Sequence, residues 1–446
     1  MKVGVYFIWV FIFLVYLLIY GFHIQSPGNI YHDEYFTITT ARQILHFSGY
    51  SSDHPPLGML LMASSIALFG DHPWAWRLSS LFSGFGCIVL TFLITRRITG
   101  CLRTAALAAF LFALDGLTVV LSRIATLNSV MLFFMLLSID LALLCLDKYR
   151  TRFLLLSAFC LGLAVATRWV AGATLIPLAF ILLQICKQNP MAQRSMIRDL
   201  TYAFAVGLAV YFSTFIIFLF IQGYHWQSIL TFQSRNFHVL STIPEREASP
   251  FWQWPLLVKP VIFCNWGKSI WLGHPGWYRQ PVHIIMALGN PAIVWAGCVA
   301  LVRLASFAHH WIPESNHPAS HRVPLSNCSA RGERSTNEAR RESKGRWAYG
   351  FILVCFFTFW MIPCAFMSRQ KFSFYFFPAM PFLCMALSVV INDMLQSTTI
   401  KKVLAYSYLG GAVVMFVYWY PLWTFMQISD VFYLNHLWLK SWPSIL

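Results

Sequence analysis

The chain has 446 residues, of which 58% are hydrophobic and 11% charged, with a mean hydropathy of +0.62. Soluble globular chains carry about 25% charged residues, so these figures exclude a soluble domain and indicate a polytopic all-α membrane protein, one integral domain over 1–446. The net charge of +16 does not imply nucleic acid, because most of it falls in loops on one side of the predicted spans.

Apolar runs predict about eleven spans, at 3–22, 74–95, 104–121, 129–146, 153–167, 170–186, 200–221, 283–303, 347–366, 374–394 and 402–421. No small-residue cleavage site follows the first run, which therefore reads as a retained helix and not a signal peptide. The basic clusters Arg96/Arg97/Arg103, Lys148/Arg150/Arg152, Lys187/Arg194/Arg198, residues 303–346 and Lys401/Lys402 all fall on one side. The positive-inside rule makes that side the cytoplasm. An odd number of spans then puts the N-terminus inside and the C-terminus outside.

The outer loop 23–73 carries the adjacent carboxylates Asp33 and Glu34 in YHDEYF and closes on Asp53-His54-Pro55-Pro56-Leu57-Gly58. An acid pair beside hydrocarbon is costly to desolvate without cationic or hydroxyl partners. Two prolines in a row make a stiff extended stop, since each fixes its own φ and pushes its predecessor from the helical region. Residues 37–47 between them suit a surface helix too polar to span. Alone, the acid pair reads as a solvated helix cap. With the rigid stop beside it, the loop reads as one wall of a catalytic site at a membrane surface.

A second outer loop, 222–282, is rich in Trp and Pro over 250–281 and is expected to lie on the membrane as an anchor or a substrate platform. The loop 304–346 is almost without aliphatic residues over 309–345 and is expected to be a disordered cytoplasmic linker. Its histidines, His309, His310, His317 and His321, read as linker residues, not a metal tract. The 11 cysteines are scattered with no CxxC pair, which suggests neither a zinc site nor a disulfide framework.

Cations on the outer side run against the positive-inside trend. Arg123, Arg168, Arg369 and Lys371 border apolar segments there. Such residues line a cavity, pair with acids or bind anions, and the planar guanidinium fork suits phosphate. Snorkelling to lipid headgroups is the plain alternative for any one of them.

Together these stretches resemble the protein O-mannosyltransferases, which use dolichyl- or polyprenyl-phosphate mannose and have the GT-C membrane glycosyltransferase fold. HDEYF is similar to the family's acid-pair loop, DHPPLG to its His-Pro-Pro-Leu-Gly element and LDGLTVVLSRIATLNSVM to its Ser-Arg junction. ATRWVAG resembles its basic-Trp turn, FWQWPLLVKPV and LGNPAIVWAG its middle segments, SRQKFSFYFFPAMPF its late Arg-aromatic-Pro element and YPLWTFMQIS its closing segment. The order is the family's and spans nearly the whole chain. Three positions depart from it: Met59 and Arg168 stand where Lys is common, and Asn128 where Asp is common. The second outer loop is too short for the β-trefoil insert of the eukaryotic enzymes, so the chain looks like the compact bacterial form.

The resemblance implies a GT-C fold with juxtamembrane helices on the outer face. It implies inverting transfer of a sugar, mannose, from a polyprenyl-phosphate carrier to a Ser or Thr hydroxyl of a protein. Asp33 is then the general base, and Glu34 orients the acceptor or pairs with a cation. His54, Arg123, Arg168, Arg369 and Lys371 are expected to bind the donor and stabilise its leaving phosphate. No cofactor is required, although carboxylates leave Mg²⁺ or Mn²⁺ open. Expected partners are the lipid-linked donor, a protein or lipid acceptor and membrane lipids, in a bacterial inner membrane with the site facing the periplasm. A GT-C enzyme that moves aminoarabinose to lipid A shares many of these features. A transporter would show ionisable groups at mid-membrane and two related halves; the sequence has no such repeat.

Overall fold

The computed structural model describes residues 2–148, 150–242, 248–266, 282–309, 336–365 and 371–442. Its helices in the first half are α1 (Lys2–Tyr20), α2 (Asp33–Leu45), α3 (Leu57–Phe69), α4 (Pro73–Thr99), α5 (Leu102–Ala113), α6 (Gly116–Arg123), α7 (Asn128–Lys148) and α8 (Thr151–Val165). The second half holds α9 (Leu175–Gln188), α10 (Pro190–Ser213), α11 (Trp226–Thr242), α12 (Pro291–His309), α13 (Thr336–Ala365), α14 (Met380–Leu395), α15 (Thr399–Trp423) and α16 (Asp430–Asn435). Among the described residues seven helices are long and apolar enough to cross a membrane, or eight if α5 and α6 form one bent span. Shorter apolar helices lie at Val10–Tyr20, Leu57–Phe69, Thr151–Val165 and Pro291–Phe307.

Two predicted spans are corrected. The run 104–121 breaks by 62° between α5 and α6. Asp115 causes the break: it is the N-cap of α6 and accepts a hydrogen bond from Thr118 N at 3.2 Å. Its other oxygen accepts from Asn290 N at 2.9 Å, which ties the bend to the start of α12. Gly116 is needed here, since a Cβ would strike the Leu288 carbonyl oxygen and the Trp423 ring. The run 283–303 is helical only from Pro291. Residues Val282–Ala287 (VHIIMA) form a strand, β2, between β1 (Val261–Trp266) and β3 (Gln427–Ile428). Both pairings are antiparallel, with Val261 opposite Ala287 and Val282 opposite Ile428. The β-branched residues suit the pleat, and Asn290 and Pro291 then start the helix as N-cap and first-turn proline.

The loop 23–73 contains two helices, α2 and α3, and the loop 222–282 contains α11 and β1. Residues 267–281 of the second loop, and 310–335 of the expected linker with His310, His317 and His321, lie outside the described residues. Helices α2 and α3 dock through a small apolar core of their own. Ile38, Ala41 and Ile44 of α2 meet Met59, Met62 and Ile66 of α3, with Trp76 and Leu127 beneath. Burying each large side chain contributes about 1.5–3 kcal/mol, enough to fix the acid-bearing helix on the bundle. Met59, where the family commonly has Lys, is fully buried in this core.

Candidate active site

Asp33 is the first residue of α2, where helix-end N–H groups favour a negative charge. His32 precedes it with φ 43°, a left-handed conformation uncommon for a residue with a side chain. This backbone places His32 Nδ1 2.8 Å from Asp33 Oδ1. The imidazole is held in turn by aromatic edges, 4.9 Å from Phe263 of β1 and 6.1 Å from Phe372 between ring centroids. Burial pushes the pKa of Asp33 up. The His32 hydrogen bond and the charges of His32, Arg168 and His54 push it down harder, so the carboxyl sits below the ordinary aspartate value. The side chain keeps 32% exposure. It is an ionised, oriented and reachable carboxylate, as a general base requires.

Glu34 is not reachable. It is 1% exposed and forms a bidentate pair with Arg77, Nε–Oε1 at 2.8 Å and Nη2–Oε2 at 2.9 Å. Its Oε1 also accepts from Ala125 N at 2.8 Å. Of the two roles the sequence leaves Glu34, pairing with a cation is the one present. These contacts tie α2 to α4 and to the α6–α7 junction.

Three of the predicted donor-binding cations share one cavity. His54, Arg168 and Lys371, with Tyr375, line the polar end of a groove of about 1450 Å³. Arg168 follows α8 at 5% exposure. It donates to Asn128 Oδ1, and at 2.6 Å to the Tyr375 hydroxyl, and lies 4.7 Å above that ring. Leu57 N donates to the Ala166 carbonyl at 3.1 Å, which staples the Pro-Pro element to the basic-Trp turn. His54 is set by its backbone: its carbonyl accepts from the Tyr50 hydroxyl and its N–H donates to Ser52 Oγ at 3.1 Å. Lys371 pairs through its carbonyl with Ser249 N at 2.9 Å. Away from this end the groove is apolar, walled by Leu154, Leu161 and Val165 of α8 and Leu200, Phe204 and Leu208 of α10. From Leu154 to Val165 it follows about 16 Å of helix. Gly162 lets α8 and α10 approach behind it, since a Cβ there would sit 2.6 Å from the Gly207 carbonyl oxygen.

Arg123, also expected to bind the donor, is placed elsewhere. It is 5% exposed and donates to the Tyr20 carbonyl at the end of α1. It satisfies an otherwise open helix-end acceptor, and it does not line the groove. Arg369 lies outside the described residues. Among the described residues no three His, Cys, Asp or Glu side chains gather in a way that could hold a metal ion.

Sequence reasoning passed over His32, Arg77 and Tyr375. Arg77, in DHPWAWRLSS, was detectable as an arginine just inside a predicted span, a position that demands a buried partner. His32 and Tyr375 gave no signal beyond their neighbours.

The family model described as dolichyl-phosphate-mannose-protein mannosyltransferase matches residues 53–232. The model of the C-terminal four-TMM region of protein-O-mannosyltransferase matches 225–442. The polyprenol-phosphate-mannose–protein mannosyltransferase of Mycobacterium tuberculosis is 23% identical, over 94% of this chain and 88% of its own. In fold, the chain is similar to the Saccharomyces cerevisiae protein O-mannosyltransferase Pmt1-Pmt2 complex bound to the sugar donor, with TM-score 0.76, 12% identity and coverage of 97% and 92%. ArnT from Cupriavidus metallidurans bound to undecaprenyl phosphate aligns with TM-score 0.55, 15% identity and coverage of 92% and 69%. The chain, an integral membrane protein of GT-C fold, belongs to the protein O-mannosyltransferase family.

Proposed function

We propose that this protein moves mannose from a polyprenyl-phosphate carrier to a Ser or Thr hydroxyl of a protein, at the outer face of a bacterial inner membrane. Its family makes it a polyprenyl-phosphate-mannose-dependent glycosyltransferase. The observation that carries the residue-level reading is the groove: a long apolar channel whose basic end acts electrostatically on Asp33. A polyprenyl chain fits the apolar length, and its phosphate fits beside Arg168 and Lys371.

In this reading Asp33 takes the proton of the acceptor hydroxyl as its oxygen bonds to the sugar C1. The C1–O bond to the carrier phosphate breaks on the opposite side, which inverts the configuration. The electron pair leaves with the phosphate, whose growing charge faces Arg168, Lys371 and His54. Fixed cations in a water-poor site stabilise such charge strongly. These side chains supply the charge at the phosphate that a metal ion would otherwise provide, and transfer unchanged by exhaustive chelation is the expected outcome.

Lipid A as acceptor is the weaker reading, since the chain's fold follows Pmt1-Pmt2 over more of its length than ArnT. The test is transfer by the purified chain in liposomes loaded with polyprenyl-phosphate mannose. Mannosylation of a Ser/Thr-rich peptide and not of lipid A supports the proposal; the reverse rejects it. For orientation, Tyr35 is 60% exposed on α2. A cysteine at this position should label only from outside in intact cells, and labelling only from inside would reverse the topology.

A further inference from the structure

The groove also holds a carboxamide whose nitrogen has no partner among the described residues. Trp169 Nε1 donates to the Tyr211 hydroxyl at 2.9 Å, and that hydroxyl lies 2.7 Å from Gln233 Oε1. An indole N–H can only donate. Tyr211 accepts from Trp169 and gives its single proton to Gln233 Oε1. This bond orients the amide with its oxygen toward Tyr211, and Nε2 is left over. Gln233 lines the groove, and its Nε2 is buried with no partner among the described residues. One turn on, on the same face of α11, Asn236 is 2% exposed and its Nδ2 lacks a partner among the described residues too. Buried donors left unpaired cost about 1–3 kcal/mol each, so native proteins keep few of them without a use.

We propose that α11 is a recognition helix for the donor headgroup: Gln233 Nε2, aimed by Tyr211 and Trp169, donates to an acceptor oxygen of the bound polyprenyl-phosphate sugar, and Asn236 supports it. That oxygen is a sugar hydroxyl or a phosphate oxygen. A neutral amide suits the hydroxyl, since Arg168 and Lys371 already face the phosphate end. This rests on the groove being the donor site.

The test is binding of two probes, polyprenyl-phosphate mannose and bare polyprenyl phosphate, to the full-length chain in nanodiscs. Gln233→Met removes the donors at similar length, and Tyr211→Phe releases the amide from its fixed orientation. Both should weaken binding of the mannosyl lipid by about three- to tenfold. Bare polyprenyl phosphate bound as in wild type places the contact on the sugar; equal weakening places it on the phosphate. Unchanged affinity for the mannosyl lipid in Gln233→Met overturns the inference while leaving the donor site standing. Wild-type protein that binds neither probe overturns the donor reading and this inference with it. If Gln233→Met does not fold, Gln233→Leu also removes the N–H groups without adding charge and is read in the same way.

Discussion

Glu34 and Arg77 face each other with both side chains 1% exposed, joined by two N–H···O contacts. Arg77 also donates to the carbonyls of Ile24 at 2.6 Å and Pro27 at 3.0 Å. One buried pair therefore gathers the chain before α2, the first turn of α2, α4 and the Ala125 backbone. The proposed general base, Asp33, is the residue next door. The adjacency of the two acids thus has a division of labour: one is sealed in to hold the helix, the other is left open at its tip.

Breaking this pair should damage stability before chemistry. Glu34→Gln or Arg77→Met strands a buried charge or its partners, at about 3–5 kcal/mol. Unfolding in detergent should shift accordingly, and the double variant should cost less than the two singles added. Singles with wild-type stability but no transfer would return Glu34 to the chemistry.

The depressed pKa of Asp33 sets the pH behaviour. A carboxyl held below its unfolded value adds stability above that value and loses it as the pH falls through the folded one. The same ordering keeps the base ionised, so the acid limb of kcat/KM should lie below the ordinary aspartate pKa of about 3.9. His32→Ala removes a downward influence and should move that limb to higher pH. An unmoved limb would separate His32 from the base.

Arg168 and Asn128 occupy two of the three positions where the chain departs from its family, and the structure shows them bonded to each other. A neutral amide positions Arg168 without cancelling its charge. Arg168→Ala should raise the donor KM by about 10- to 100-fold, the range of a lost charged hydrogen bond. Asn128→Asp keeps the bond and neutralises the charge, and should raise KM less, in the same direction. A lower donor KM in Asn128→Asp would contradict the phosphate role.

The groove predicts a dependence on carrier length. Ala158 lines its apolar stretch, and Ala158→Trp should obstruct it. Activity with long polyprenyl carriers should fall well below that with a two-isoprene analogue. Equal loss for both lengths would place the chain elsewhere.

Much of this was legible in the residues. Apolar runs located most of the spans, and the motifs named His54 and Arg168, which line one groove, and Asp33, on which both act electrostatically. What failed shares a cause: one-dimensional patterns do not show which way a side chain turns. Arg123 and Arg168 look alike in sequence, yet one closes the end of α1 and the other opens on the groove. The strand at Val282–Ala287 was hidden because six apolar residues serve a buried strand or a helix equally, and its partners Val261–Trp266 and Gln427–Ile428 are distant in the chain. The bend at Asp115 required knowing that Asn290 meets it from the far side of the fold.

The most direct measurement is single-turnover transfer from polyprenyl-phosphate mannose to a Ser/Thr peptide by wild-type and Asp33→Asn protein, with carrier binding measured in parallel. The account predicts intact folding and carrier binding in Asp33→Asn and a transfer rate about 10²- to 10⁴-fold lower, the contribution of a general base. Transfer by Asp33→Asn at the wild-type rate would contradict it.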